Sequence, residues 1–342
     1  MADLMLGIET SCDDTGVAIV RPDGTVVASA VASQVELHDR YGGVYPEMAS
    51  RAHVDAILPT VRKVLDDAGL TPADLTAIGV TRGPGLIGSL VVGTNSAVGL
   101  GDGWGLPVYG VNHLRGHLRS ADLDEQRVTY PAMLLLVSGG HTLLAHVQEN
   151  ERDTERSGAG PMGDVTLVGS TRDDSVGEAY DKVARMLGLG YPGGPAIDRL
   201  ARTGTPDVDL PRPGRDLGLD FSFSGLKSAV SRFLAANPDH PPENVAASFV
   251  EACLDVLLSK CRTALEQHPS RCLVVVGGVA ASPQLRERAA DLCAETGVEL
   301  CLPPLRWSTD NGAMIGLAAW DYRARGLHER PRPTTSLTIA DW

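Results

Sequence analysis

Aromatic residues make up only 4% of this 342-residue chain, and its six cysteines (Cys12, Cys253, Cys261, Cys272, Cys293 and Cys301) form no C-x-x-C pair. The first shortage leaves core packing to small and aliphatic side chains, and 38 glycines point to many tight turns. The second removes the signature of a zinc ribbon or a disulfide framework and fits a reduced compartment. No apolar stretch is long enough to span a bilayer and no basic leader precedes the first strand, so the expectation is a cytoplasmic protein with no membrane association. Positive charge is also scarce. With 30 Lys and Arg against 43 Asp and Glu, the net charge of −13 opposes strong unaided binding to nucleic acid. A nucleic-acid substrate would need a helper subunit or a local basic face, for which Arg82, Arg115, Arg119, Lys182, Arg185 and Lys227 are the candidates. The chain also lacks a Walker A loop, a G-x-S-x-G elbow and a G-x-G-x-x-G turn after its first strand, which disfavours P-loop, α/β-hydrolase and Rossmann chemistry.

The length suits two lobes, each with its own apolar interior. Leu4 to Thr10, Gly16 to Val20 and Thr25 to Ala32 read as a three-strand meander, followed by a helix over Ala49 to Ala68 that ends at Gly69. Ile78 to Thr81 is a strand, Arg82 to Ser89 a glycine loop opening a helix, and Pro107 to Val111 a strand running to Asn112, a good N-cap. A second meander follows: Ala132 to Val137, Thr142 to Val147 and Val165 to Gly169. Glu178 to Leu187 and Asn244 to Leu265 read as helices, and Tyr191 to Pro195 as a loop. Leu273 to Val276 is a strand, Gln284 to Thr296 a helix, Leu300 to Leu302 a strand and Gly312 to Arg323 the last helix. A meander with helical crossings that occurs twice outlines a duplicated α/β fold of the actin, sugar-kinase and Hsp70 ATPase type, with two lobes around a nucleotide cleft. The expected division is 1–131 for the first lobe, completed by about 303–330, and 132–302 for the second. A charged surface insertion is expected near 149–163, and the tail over 328–342 is expected to be loosely ordered.

His113-Leu-Arg-Gly-His117 places two histidines four residues apart on one helix face, half of a divalent-metal site. Asp310, in the turn Trp307 to Gly312, is either the third ligand or the N-cap of the last helix. The glycine turns Ser138-Gly139-Gly140-His141 and Gly277-Gly278-Val279-Ala280 are suited to bring backbone N–H groups up to phosphate oxygens. Metal and nucleotide together point to group transfer. Asp13 and Asp14, in the first polar turn, supply a candidate base or orienting carboxylate, and Asp181 and Asp198 candidate acceptors for a ribose. A zincin would need glutamate after the first histidine, and that position holds Leu114.

These motifs resemble those of the TsaD family. The resemblance rests on Ile8-Glu9-Thr10-Ser11-Cys12-Asp13-Asp14-Thr15, Gly42 to Glu47, Ser50-Arg51-Ala52-His53, Gly83 to Ser89, and Asn112 to His117. It continues through Leu136 to Thr142, Gly177 to Lys182, Tyr191 to Pro195, Phe221 to Lys227 and Ser308 to Gly312, in order along nearly the whole chain. It implies the duplicated ASKHA fold and transfer of a threonylcarbamoyl group from threonylcarbamoyl-AMP to N6 of adenosine 37 in tRNAs reading codons that begin with A. It further implies one divalent metal, iron(II) with zinc as the alternative, on His113, His117 and Asp310. Adenylate contacts would come from Leu136, Val137, Ser138, Gly139, Gly140, Asp181, Gly194 and Asp198, and catalysis would involve Asp13 and Asp14. The implied partners are tRNA, a non-catalytic paralogue (TsaB-like) and a small ATPase (TsaE-like). One departure stands out: Ser282 occupies the place of an adenosine-contacting Asn, and its shorter side chain predicts a weaker or water-bridged contact. Against the transferase stand a non-catalytic scaffold, which would have no need of the ligand triad, and a metallo-endopeptidase, which would lack its base.

Overall fold

The computed structural model describes residues 3–124, 127–149 and 162–342. Most of the insertion expected near 149–163 lies outside the described residues. In chain order the elements are β1 (Met5–Glu9), β2 (Asp14–Val20), β3 (Val26–Ser33), α1 (Val35–Asp39), α2 (Pro46–Ala68), β4 (Ala77–Gly83), α3 (Ile87–Trp104), β5 (Val108–Asn112) and α4 (His113–Ser120). They continue with β6 (Ala132–Val137), β7 (Thr142–Glu149), β8 (Met162–Ser170), α5 (Val176–Met186), α6 (Gly193–Ala201), α7 (Ser224–Ala236) and α8 (Pro242–Gln267). The last are β9 (Cys272–Val276), α9 (Pro283–Thr296), β10 (Glu299–Cys301) and α10 (Gly312–Ala324). None of the described helices is long and apolar enough to cross a membrane.

The strands form two five-stranded sheets of matching topology, β3-β2-β1-β4-β5 and β8-β7-β6-β9-β10. In each, the first strand is central, antiparallel to the second (Met5↔Val20; Ala132↔Val147) and parallel to the fourth (Met5↔Ala77; Ala132↔Cys272). The meander read twice in the sequence is thus present twice, with the same strand order. The chain divides into two compact units, one of Met1–Val128, Gln148–Val165 and Pro303–Trp342, the other of Thr129–Val147 and Thr166–Leu302.

In the first unit both faces of the sheet are covered, which is why β1 is apolar at almost every position rather than alternating. Leu6 and Ile8 pack with Ile57, Val61 and Val64 of α2, whereas Met5 on the opposite face packs with α10 residues Met314, Leu317 and Ala318. Gly7 shares the face toward α10, and a Cβ there would sit 2.0 Å from the Gly312 carbonyl oxygen. Glycine therefore sets how closely α10 lies on the sheet. In the second unit one apolar core gathers Met133, Leu135, Tyr180, Phe221, Phe249 and Val275 around β6, β9 and the long α8.

Three helices departed from the sequence reading. α1 is only five residues long, too short to show a period, α7 carries Leu226, Val230 and Phe233 at helical spacing that the sequence reading passed over, and α6 begins inside the stretch read as a loop because Asp181 Oδ1 accepts the Gly193 N–H at 2.9 Å and starts the helix. The tail over 328–342 carries no helix or strand, but its expected looseness is not what is found: Ile339 is fully buried, and the backbone carbonyls of Thr338, Ala340 and Asp341 are taken up by Asn112 and Arg115.

Candidate metal centre and its surroundings

Strand β5 delivers the chain directly into α4, whose N-terminus is capped by Asn112 Oδ1 accepting the Leu114 N–H at 3.0 Å. Four-residue spacing then puts His113 and His117 on one face, ring centroids 4.6 Å apart. Gly116 between them lies where a Cβ would come within 2.7 Å of Ile315 Cδ1, so α4 sits close against α10. The turn before α10 brings Asp310 Oδ1 to 3.2 Å from His117 Nε2 and 3.7 Å from His113 Nε2. One ligand atom from each of the three residues lies within 4.8 Å of the other two. The alternative role for Asp310 falls away, since the N-cap of α10 is Asn311, whose Oδ1 accepts the Met314 N–H at 2.9 Å.

His113 is held by a residue the sequence reading quoted but did not single out. Glu9, at the end of β1 and fully buried, accepts from His113 Nδ1 at 3.0 Å and from the Thr81 hydroxyl and the Ser11 N–H. A proton on Nδ1 leaves the Nε2 lone pair facing Asp310. His117 is buried; its Nδ1 has no hydrogen-bond partner among the described residues, and its Nε2 faces Asp310. Two imidazole nitrogens turned toward one carboxylate fit a first-row divalent cation with open positions. The local field agrees: burial alone would pull the His113 pKa down, but Glu9 and Asp310 override it and hold it at about 9. A field that favours a proton there favours a metal cation too. The signal in the sequence was a lone acid closing an otherwise apolar strand.

The acidic turn between β1 and β2 is fixed from two sides. His53 of α2 donates from Nε2 to the Cys12 carbonyl at 3.0 Å and accepts the Thr15 hydroxyl on Nδ1 at 2.7 Å. From the other side Leu86 N–H donates to the Ser11 carbonyl at 2.8 Å, and Gly93 leaves room for Thr10, whose Oγ1 would lie 2.1 Å from a Cβ there. The Gly83 to Ser89 loop thus supports this turn. Asp14 is lifted to about 6 by burial, with Asp13 and Asp310 adding to the rise and the Ser33 and Gln34 hydrogen bonds opposing it. Its Oδ1 is buried without a hydrogen-bond partner among the described residues.

The expected adenylate residues all lie in the second unit. Leu136 and Val137 are core side chains, and their backbones pair in the sheet with Leu143 and Thr142. Gly139 and Gly140 form an exposed turn whose N–H groups enter no hydrogen bond among the described residues, with open space where side chains would be. Ser175 anchors that turn from behind, its hydroxyl donating to the Gly139 carbonyl at 2.6 Å, and Gly177 packs so tightly on it that a Cβ would lie 2.5 Å from the Ser138 oxygen. Asp181 serves the start of α6 as described, and Gly194 in its first turn faces open space. Asp198 is raised by burial, opposed by a hydrogen bond from Ser282. Ser282 itself is 4% exposed and caps α9 by accepting the Leu285 N–H, so its hydroxyl acts on Asp198 and the helix end.

Five of the six residues named for a basic face are engaged within the fold, and Arg185 is exposed on α5. Arg115 and Arg119 are buried: Arg115 is bound to the Asp341 and Ala340 carbonyls under the Trp342 ring, and Arg119 is paired with Asp122 and Asp321. Lys227 pairs with Asp174, Lys182 with Asp174 and Glu178, and Arg82 donates to the Trp342 carbonyl. Leu114, where a zincin carries its glutamate, is a core side chain.

Comparison with known structures bears on the fold. The chain matches the activator of 2-hydroxyisocaproyl-CoA dehydratase from Clostridium difficile at a TM-score of 0.55 and 14% identity, covering 95% of this chain and 97% of that one. It matches component A of (R)-2-hydroxyglutaryl-CoA dehydratase from Acidaminococcus fermentans at 0.56 and 17%, covering 95% and 99%. The fold is the duplicated α/β architecture of the ASKHA type. In sequence, the chain is 47% identical over 320 residues to a tRNA N6-adenosine threonylcarbamoyltransferase of Geobacillus thermodenitrificans, covering 92% of this chain and 90% of that one. The TsaD family, described as tRNA N6-adenosine threonylcarbamoyltransferase, matches over residues 25–317. The chain belongs to the TsaD family.

Proposed function

We propose that this chain transfers the threonylcarbamoyl group of threonylcarbamoyl-AMP to N6 of adenosine 37 in tRNAs reading codons that begin with A, forming N6-threonylcarbamoyladenosine and releasing AMP. The observation that carries this reading is the convergence of His113, His117 and Asp310, with Glu9 orienting His113, in a chain of this family. Iron(II) bound by His113 Nε2, His117 Nε2 and Asp310 would supply Lewis acidity toward the carbamoyl carbonyl and a positive charge for the threonyl carboxylate.

The chain's own groups do the rest. The free N–H groups of Gly139 and Gly140 bind the phosphate of the adenylate, and Asp181 and Asp198 serve its ribose. N6 attacks the carbamoyl carbon, the new C–N bond forms as the bond from that carbon to the phosphate oxygen breaks, and AMP leaves. Asp14 accepts the N6 proton on its unpartnered Oδ1, and its pKa of about 6 suits a base at neutral pH. Asp13 acts beside it, its negative charge helping to raise the Asp14 pKa.

The chain works in the cytoplasm with tRNA, a non-catalytic paralogue and a small ATPase. Exposed Val54 and Leu58 of α2 and Val91 of α3, along a cavity of about 540 Å³, offer the paralogue an apolar docking face. The test is mass spectrometry of nucleosides from tRNA incubated with threonylcarbamoyl-AMP, partner subunits and either wild type or His113→Ala. The modified nucleoside is expected with wild type only. Its formation by both proteins would reject the metal site's role, and its absence from both would favour a scaffold.

A further inference from the structure

Tyr41 and Tyr45 are 57% and 47% exposed and stack on each other, ring centroids 5.5 Å apart and planes 28° from parallel. In a chain with so few aromatics, they are the only ring-bearing residues among the exposed large hydrophobics of the described structure. Their loop is built. Tyr41 and Gly43 N–H groups both donate to the His38 carbonyl, at 3.0 and 3.2 Å, and Gly42 at φ +66° and Gly43 at φ +153° adopt backbone conformations that favour glycine.

The pair is tied to the acidic turn by a chain of buried side chains. Tyr45 N–H donates to His38 Nδ1 at 3.3 Å, His38 Nε2 donates to Gln34 Oε1 at 3.1 Å, and Gln34 Nε2 reaches His53 Nδ1 at 3.4 Å. His53 then holds the Cys12 carbonyl beside Asp13 and Asp14. His38, Gln34 and His53 are each 6% exposed or less. A surface feature with no task would have no need of such a mounting.

We propose that Tyr41 and Tyr45 form a stacking platform for an unpaired base of the RNA substrate, next to the adenosine that is modified. This rests on the transferase reading, in which the target adenosine lies in a single-stranded anticodon loop. Unstacked loop bases are what exposed aromatic faces recognise in RNA. Phosphate attraction is not the basis: Glu36, Asp39 and Glu47 outnumber Arg40 and Arg51 around the pair, and Arg51 is bonded to Glu47 at 2.6 Å. Ring faces do the recognising, while the mounting transmits the position of the bound base to the turn that carries the base catalyst.

The test measures binding and turnover separately. Fluorescence anisotropy of a labelled, unmodified anticodon stem-loop RNA is followed with the full chain and its partner subunits, for wild type, Tyr41→Leu/Tyr45→Leu and Tyr41→Phe/Tyr45→Phe. The leucine variant is expected to bind about tenfold more weakly, the scale of one lost stacked base, and to raise the KM for RNA but not for threonylcarbamoyl-AMP. The slope of log affinity against log salt should stay unchanged, since no phosphate contact is removed. The phenylalanine variant should match wild type within about twofold. Equal RNA binding by leucine variant and wild type overturns the platform, as does a loss confined to association with the paralogue, which would make the pair a protein contact. Wild type that binds RNA yet forms no product refutes the transferase reading alone; wild type that binds no RNA refutes both.

Discussion

Replacing Glu9 by glutamine removes one charge from a buried site with almost no change of shape, and the structure says where the damage falls. All three neighbours of the carboxylate donate: the Ser11 N–H to one oxygen, the Thr81 hydroxyl and His113 Nδ1 to the other. An amide offers one acceptor oxygen and one NH2, so in either orientation a donor meets a donor. Thr81 escapes by rotating its hydroxyl. His113 escapes by changing tautomer, accepting from the new NH2 at Nδ1 and moving its proton to Nε2. That proton occupies the lone pair aimed at Asp310, so the variant makes the wrong tautomer the comfortable one. Loss of such an outer carboxylate costs about 10–100-fold in metal affinity. An imperfectly satisfied buried amide costs the fold about 1–3 kcal/mol. The assay is a cobalt(II) titration followed by visible absorption, with thermal unfolding of the metal-free protein alongside. Cobalt affinity in Glu9→Gln within about twofold of wild type would refute the tautomer argument, and would assign the Nδ1 proton to the Ser11 hydroxyl, which lies 3.2 Å from that nitrogen.

The remaining predictions separate neighbours that the sequence could not. Asp310→Ala should abolish metal binding while leaving α10 intact. Asn311→Ala should cost about 1 kcal/mol of stability through the lost cap yet keep metal bound, and the reverse pattern in melts and titrations would restore the capping role to Asp310. Asp14, raised to about 6 by burial, is protonated and inactive as a base below that pH. Activity should therefore fall as pH drops through 6, and in Asp14→Asn the rate should drop about 10²-fold and lose that acid limb; persistence of the limb in a pH profile of kcat/KM would assign it elsewhere. The Trp342 ring lies 3.6 Å from the Arg115 guanidinium and 4.0 Å from that of Arg325. Trp342→Ala should lower stability by about 2 kcal/mol, and an unchanged urea midpoint would mean that the tail contributes nothing to holding α4.

What was legible in the sequence depended on how local its cause was. The strand-turn-strand pattern of each meander is written in neighbouring residues, and so is the spacing of His113 and His117, which a helix converts directly into a shared face. Gly69, read as a helix stop, adopts φ +64° at the end of α2 because a single residue decides a C-cap. Non-local causes were hidden. Glu9 and His113 stand 104 residues apart and meet only because β1, β4 and β5 lie side by side, so an acid in an apolar strand read as part of a motif and not as the group that sets an imidazole. The same holds for Arg115 and Arg119. Beside two histidines on a short polar helix they read as a basic face, yet α4 is buried on every side, and its guanidinium groups are met by carbonyls of residues 340–341 and by Asp122 and Asp321. A tail rich in proline and threonine gives no hint of this, because it is its backbone that binds. The charge on α4 is therefore part of the scaffold around His113 and His117 and is not offered to solvent, which is what makes the exposed tyrosine pair the feature to test.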